Sequence, residues 1–155
     1  SKRLRPMHCR RLQPGDGPRL QQLAELYHTA FELEDPLETS PQQLERRLAN
    51  ANFIAYVLEN SEATLVGGLT AFELPAVFGD YAECYVSELA IAPDFHGRGL
   101  GRLMMKAFLK YCKSQGFRYI FMSADPEDEP AMAFYRSLGA TEDEPSFFYF
   151  EPFEE

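Results

Sequence analysis

The chain has 155 residues, 45% of them hydrophobic, which is enough for one well-filled core and short for two. Its formal net charge of -9 makes an acidic field that repels nucleic acid and draws cations, so a polycationic substrate or a basic peptide gains weight as DNA loses it, although solubility alone explains the same charge. No stretch approaches the roughly 18 uninterrupted apolar residues that span a bilayer, and the basic start SKRLRPMHCRR is not followed by a signal-peptide core, so the expectation is a soluble, unsecreted, cytoplasmic domain with no membrane partner.

In chain order, Met7 to Leu12 reads as a first strand ending at the turn signal PGDG. Pro18 suits a first helical turn, and Leu20, Leu23, Ala24, Tyr27 and Phe31 recur at three- and four-residue steps on one helical face. After the polar loop ELEDPLETS, Ser40, Pro41 and Gln43 have the form of an N-cap, a first-turn proline and a capping-box partner for a second, short helix carrying Leu44 and Leu48. FIAYVLE and TLVGGLTAFEL, separated by the turn NSEA, have the pattern of an antiparallel hairpin, and Gly67 and Gly68 predict a bulge or a close backbone approach within it. ECYVSELAIA is apolar enough for a central strand, which Pro93 ends.

From Gly99 onward, Leu100, Leu103, Met104, Ala107, Phe108 and Tyr111 mark one face of a helix of about four turns, with Gly116 as its stop. YIFMSA is a further strand. Pro130 to Leu138 is a short helix capped by Asp128 or Glu129 and closed by Gly139, and SFFYF is a last strand. The whole predicts a single α/β domain, an α+β mixed sheet with helices on its faces.

Charge is unevenly spread along these elements. Lys2, Arg3, Arg5, Arg10 and Arg11 crowd the start, whereas after Tyr119 the residues Asp125, Glu127, Asp128, Glu129, Glu142, Asp143, Glu144, Glu151, Glu154 and Glu155 are set against Arg136 alone. Cys9, Cys84 and Cys112 are odd in number and widely spaced, which suits neither a disulfide framework nor paired zinc ligands, so they are expected to be reduced and mostly buried. His8, His28 and His96 are too scattered for a metal site.

The segment HGRGLG, His96 to Gly101, joins the central strand to the long helix. Glycines let backbone N–H groups turn toward a ligand with no Cβ in the way, and a helix start adds unpaired donors and partial positive charge; together these form an anion cradle. As glycines alone the stretch reads equally as a flexible loop. It is not a P-loop, because Gly101 is followed by Arg102 and Leu103, nor a dinucleotide fingerprint, whose third glycine is replaced by Arg102.

The spacing of His96, Gly99 and Gly101 resembles the signature of the GNAT superfamily of N-acetyltransferases: Gln or Arg, two residues, Gly, one residue, then Gly or Ala. His96 departs from the first position of that signature. DEPAMAFYRSLGA, Asp128 to Ala140, is similar to the family's later block, a capped helix whose tyrosine is followed four residues on by glycine, here Tyr135 and Gly139, with Asp128 where Asn is usual. A closer likeness, to the GNAT-type aminoglycoside 3-N-acetyltransferases, rests on AECYVSELAI, on Leu74-Pro75 and on SADPEDEPAMAFYRSLGA.

The resemblance covers essentially the whole chain. It implies the GNAT acyl-CoA N-acyltransferase fold, a central mostly antiparallel sheet flanked by about four helices, with acetyl-CoA as cosubstrate and no metal. The implied reaction is acetyl transfer to an amine of a small polycationic acceptor, foremost the 3-amino group of an aminoglycoside antibiotic, as in antibiotic resistance. Rival readings are acetylation of polyamines or of protein or peptide amines, and a non-catalytic module that binds acyl-CoA. Related enzymes commonly pair, so a homodimer is implied by likeness.

By the same resemblance, His96, Gly97, Arg98, Gly99, Leu100, Gly101 and Arg102 hold the cofactor pyrophosphate, and Ala131 and Phe134 add cofactor contacts. Backbone N–H groups around Leu89, Ala90 and Ile91 orient the pantetheine and the acetyl carbonyl. Glu88, just before the loop, is the base for the acceptor ammonium, directly or through water, although a residue on an alternating strand also reads as a surface carboxylate. Tyr135 is the implied acid for the departing sulfur, yet Ala131, Phe134, Tyr135 and Leu138 equally form a packing stripe. Asp125, Asp128 and Glu83 are implied contacts for substrate ammonium groups; a cap within DPEDEP explains Asp125 as well, and Glu83 could simply face solvent.

Overall fold

The structure, a computed structural model, describes residues 6–152. Lys2, Arg3, Arg5, Glu154 and Glu155 of the charge pattern lie outside the described residues. The chain falls into two compact units, one ending at Ser123 and one beginning at Ala124.

In the first unit one sheet is built in the order β1 (Met7–Arg11), β2 (Phe53–Asn60), β3 (Leu65–Pro75), β4 (Ala82–Ile91) and β5 (Ile120–Phe121). The pairs from β1 to β4 are antiparallel, and β5 joins β4 in parallel through Cys84–Ile120 and Tyr85–Phe121. The helices of this unit are α1 (Gly17–Ala30), α2 (Pro41–Ala49) and α3 (Leu100–Gln115).

Strand β2 is covered on both faces. Ala55 and Val57 join Leu12, Leu20, Leu23, Leu44 and Leu48 in one core layer with α1 and α2, while Tyr56 packs its ring 5.4 Å from Phe108 and 5.7 Å from Tyr111 of α3. Successive side chains on a strand point to opposite faces, so a strand covered twice needs a near-continuous apolar run, and FIAYVL provides one.

The helix starts use their local signals selectively. Ser40 Oγ accepts from Gln43 N–H at 3.2 Å, as an N-cap should, but the reciprocal half of the expected capping box is missing, because Gln43 Oε1 is buried without a donor. Asp16 makes no side-chain cap to α1. Glu45 of α2 takes that role, its carboxylate accepting the N–H groups of Gly15 and Gly17 at 2.9 Å each and so tying the two helices together.

The β2–β3 hairpin closes on Asn60, whose Oδ1 accepts from Glu62 and Thr64 N–H, each at 3.0 Å. Both expectations for the glycine pair hold in this hairpin. A Cβ on Gly68 would lie 2.5 Å from Leu23 Cδ1, and one on Gly67 would lie 2.8 Å from Ala90 O. Beside them, Leu58 pairs with Gly67 and Glu59 with Leu65, so Val66 is a bulge residue.

In the second unit α4 (Glu129–Ser137) starts on Asp128, and Gly139 follows its end at φ 83°. The sequence expectation of a last strand at SFFYF is not met. Residues 146–150 form no strand, and Phe147, Phe148, Tyr149 and Phe150 are exposed. YIFMSA likewise is strand only at Ile120–Phe121. Aromatic residues favour a pleated, half-covered surface, but a strand exists only where a ladder partner meets it.

Candidate active site

The site in the first unit begins with a register shift. Ala71 pairs with Val86 and Thr70 with Glu88, which makes Ser87 one residue more than the β3–β4 ladder needs. Thr70 and Ala71 are neighbours and face opposite sides, so Val86 and Glu88 do too; an unbroken strand would have put them on one face. Val86 shares its face with Cys84, and both are buried. The Cys84 thiol meets Cys112 of α3, whose own thiol is pushed up by that hydrogen bond and by burial.

Glu88 emerges on the α1 side, across from Thr70. Thr70 is buried, and its hydroxyl bonds the Tyr27 phenol oxygen at 2.8 Å. Burial pushes the Tyr27 phenol above its ordinary value, and the charge of Glu88 adds to the effect. Glu88 itself is half-buried, and its Oε2 accepts from Ser87 Oγ at 2.5 Å.

The same change of parity redirects the backbone. Before the bulge, Cys84 N–H donates to Tyr119 O on the β5 side at 2.8 Å, whereas after it Ala92 N–H donates to Val66 O on the β3 side at 2.7 Å. By strand alternation Leu89 and Ile91 then aim their polar groups away from β3, along an edge where the pairing with β5 has already ended. Their amides therefore point along that edge. The Ile91 carbonyl is satisfied by His96, whose Nε2 donates to it at 2.8 Å. His96 thus closes the end of β4 with its side chain.

Past a single 3-10 turn at Pro93–Phe95 comes the glycine loop. Gly97 and Gly99 have φ of 75° and 71°, where only glycine is free of steric penalty, and nothing lies within 4 Å of where their Cβ atoms would be. Gly99 is the N-cap of α3, and the first intrahelical bond runs from Leu103 N–H to Gly99 O at 3.1 Å. The amides of Leu100 and Gly101 precede that bond, at the positive end of a 16-residue helix. Arg98 lies over the Phe95 ring at 5.3 Å, its Nη2 donating to Asp94 O at 3.3 Å. Amide donors, a positive helix end and open space in front of two glycines fit the diphosphate of acetyl-CoA.

The second unit holds the remaining sequence candidates. Asp125 Oδ1 accepts from Glu127 N–H at 2.9 Å, and Asp128 Oδ1 accepts from Ala131 N–H at 3.1 Å, so both act as caps and each keeps a second carboxylate oxygen. Tyr135 is half-buried, and burial, with the charge of Asp128, pushes its phenol above the ordinary value. It therefore holds its proton at neutral pH. Phe134 packs its ring 5.3 Å from that of Tyr135. Glu83, half-buried on β4, lies five residues before Glu88, but with Ser87 bulged the two are four ladder steps apart, about 13 Å along the strand.

Thr70, Tyr27 and Ser87 surround Glu88 without having been legible as site residues. Their proximity depends on helix docking and ladder register, which no local spacing encodes.

Comparison with known proteins bears on this geometry. An aminoglycoside acetyltransferase from an uncultured soil metagenomic sample, solved in complex with sisomicin, shares the fold at a TM-score of 0.89 and 27% identity, over 94% of this chain and 95% of that one. A mycothiol acetyltransferase of Thermobifida fusca is 37% identical over 57 residues, 37% of this chain and 17% of that protein. The [ribosomal protein bS18]-alanine N-acetyltransferase of Salmonella typhimurium is 29% identical over 83 residues, 54% of this chain and 55% of that protein. The chain spans well under two thirds of the length of the curated relatives it matches first. The description of the acetyltransferase (GNAT) family matches residues 20–140, from within α1 to just past α4. With that match running through both units, the chain belongs to the acetyltransferase (GNAT) family.

Proposed function

We propose that this chain is an acetyl-CoA-dependent N-acetyltransferase acting on an amine of a polycation, foremost the 3-amino group of an aminoglycoside. The observation that carries the reading is Glu88, a carboxylate turned by a register shift onto the α1 side of β4, just ahead of a glycine cradle at a helix start.

Acetyl-CoA supplies an acetyl thioester when bound; the chain supplies the rest. The loop from His96 to Arg102, with the amides of Leu100 and Gly101, grips the diphosphate, and the N–H groups of Leu89 and Ile91 line up the arm that follows. Ala131 and Phe134 are further cofactor contacts. Glu88 accepts a proton from the acceptor ammonium, directly or through a water, and so leaves the nitrogen lone pair free to attack. Tyr135 holds a proton on its phenol oxygen for the departing thiolate. Asp125 and Asp128, through the oxygens not engaged in capping, and Glu83 hold the other ammonium groups of a polycation.

The sisomicin-bound relative supports an aminoglycoside acceptor. A second reading, transfer to a protein α-amine, is supported by the relative that acts on a ribosomal-protein alanine. The deciding experiment follows thiol release from acetyl-CoA over panels of aminoglycosides, polyamines and peptides beginning with alanine, with the acetylated nitrogen located by NMR. Turnover on aminoglycosides that is lost when the 3-amino group is blocked is expected. Turnover confined to peptides or polyamines moves the acceptor. Calorimetric binding of coenzyme A with no turnover leaves an idle binder, and no binding at all removes the reading.

A further inference from the structure

We propose that Ser87, the extra residue of the β4 bulge, is a positioning residue whose hydroxyl turns between Glu88 and the Thr70 carbonyl as Glu88 gains and loses its proton. The inference rests on reading Glu88 as the base. It starts from two distances: Ser87 Oγ is 2.5 Å from Glu88 Oε2 and 3.3 Å from Thr70 O.

A hydroxyl has one proton to donate and two lone pairs, so Ser87 serves one of these acceptors fully at a time. While Glu88 is ionised, the proton belongs to Oε2, where the bond is short and charge-assisted. This bond fixes the carboxylate rotamer on the α1 side and leaves Oε1 to face the acceptor. When Oε1 has taken the ammonium proton, a half-turn of the Glu88 carboxyl group brings the new O–H to Ser87 Oγ, where it donates to a lone pair. The Ser87 hydrogen then turns to Thr70 O.

No covalent bond between heavy atoms forms in this exchange. One proton passes from the acceptor nitrogen to Glu88, and Ser87 keeps its own throughout. Both protonation states of Glu88 find a partner with no movement beyond that turn of the carboxyl group.

The frame around this hydroxyl is fixed. Thr70 is 7% exposed, its side chain is tied to Tyr27 at 2.8 Å, and its backbone is in the ladder directly across from Glu88. The bulge is what brings the Ser87 side chain to both acceptors, since a strand in register would have placed it on the face away from Glu88.

The test is a cycle of Ser87→Ala, Glu88→Gln and the double variant, with Ser87→Thr as the conservative replacement, each checked for folding by circular dichroism and thermal melting. Loss of a hydrogen bond to a charged group predicts a kcat for Ser87→Ala lower by about ten- to a hundredfold, with KM for acetyl-CoA changed less than about threefold. Ser87→Thr should restore kcat to within about threefold. In the Glu88→Gln background, Ser87→Ala should change turnover by less than about twofold, because the hydroxyl acts through the carboxylate. A full loss added on top of Glu88→Gln, or a Ser87→Ala enzyme that turns over like the parent while Glu88→Gln does not, overturns the role of Ser87 and leaves the base in place. Unchanged turnover in Glu88→Gln overturns the base, and the role of Ser87 with it.

Discussion

Val86 and Glu88 stand two residues apart on one strand and face opposite sides of the sheet. Deleting Ser87 makes Val86 and Glu88 neighbours, so simple alternation keeps Glu88 across from Thr70 while the local bend and the Ser87 hydroxyl are lost. The expected outcome is a small change in the urea midpoint together with acetyl transfer slowed about tenfold or more, the loss of a hydrogen bond to a charged group. A deletion variant with parental turnover would show that the reaction does not depend on the bulge.

The cradle separates binding from stability. Gly99 and Gly116, at opposite ends of α3, have φ of 71° and 75°, and at neither does any atom lie within 4 Å of the place a Cβ would take. Alanine at either position carries a similar backbone penalty, roughly 1 kcal/mol. Only at Gly99 does the added methyl enter the space proposed for a diphosphate. Gly99→Ala is expected to lower affinity for coenzyme A about tenfold or more, whereas Gly116→Ala loses comparable stability and keeps its affinity. Calorimetry beside thermal melts checks both.

Tyr135→Phe removes a proton donor and little else, because the ring and its packing on Phe134 remain. It is expected to lower kcat by about a hundredfold while leaving acetyl-CoA binding within about twofold. Burial, with Asp128, raises the phenol above its ordinary range, so the proton-holding form persists past the usual tyrosine value of about 10. The parent enzyme should show no loss of kcat from this group between about pH 7 and about pH 9. A pH–rate series on parent and variant tests it.

Alkali should unfold the chain through buried neutral groups. Burial pushes the Cys9 thiol up to about 11, and burial followed by the neighbouring Cys9, Tyr111 and Cys112 pushes the Tyr56 phenol up to about 12. The unfolded chain releases these protons near about 8.5 and about 10, so in that window it binds fewer protons than the folded state. Stability is full below the unfolded values and falls as pH rises through the folded ones. Urea midpoints taken from about pH 7 to about pH 11 should decline, and Tyr56→Phe, which keeps the ring beside Phe108, should flatten the upper part of the decline.

What could be read from sequence was local. The PGDG turn, Pro18, the Ser40 cap, Gly116 and Gly139 place helix ends because each acts on backbone groups within a few residues of itself, and the HGRGLG loop is legible as a glycine-rich helix start for the same reason. Asp128 was legible as a cap on these grounds, and α4 starts on it. The run SFFYF has strand propensity but forms no strand, because propensity belongs to a segment while a strand belongs to a pair. Gln43 stands at the capping-box position but makes no reciprocal bond, because that bond depends on where its side chain lies once α2 has docked.

Tertiary structure alone decided the surroundings of Glu88. Whether that carboxylate lies under α3 or opens beside α1 turns on whether Ser87 is paired in the ladder or bulged out of it, and a one-residue shift reverses the direction of every side chain and amide beyond it. Thr70 and Tyr27 come to Glu88 from β3 and α1, through pairing and docking between distant parts of the chain. Sequence spacing specifies the period of a strand; only the partner strand specifies its phase, and the chemistry proposed for Glu88 depends on that phase.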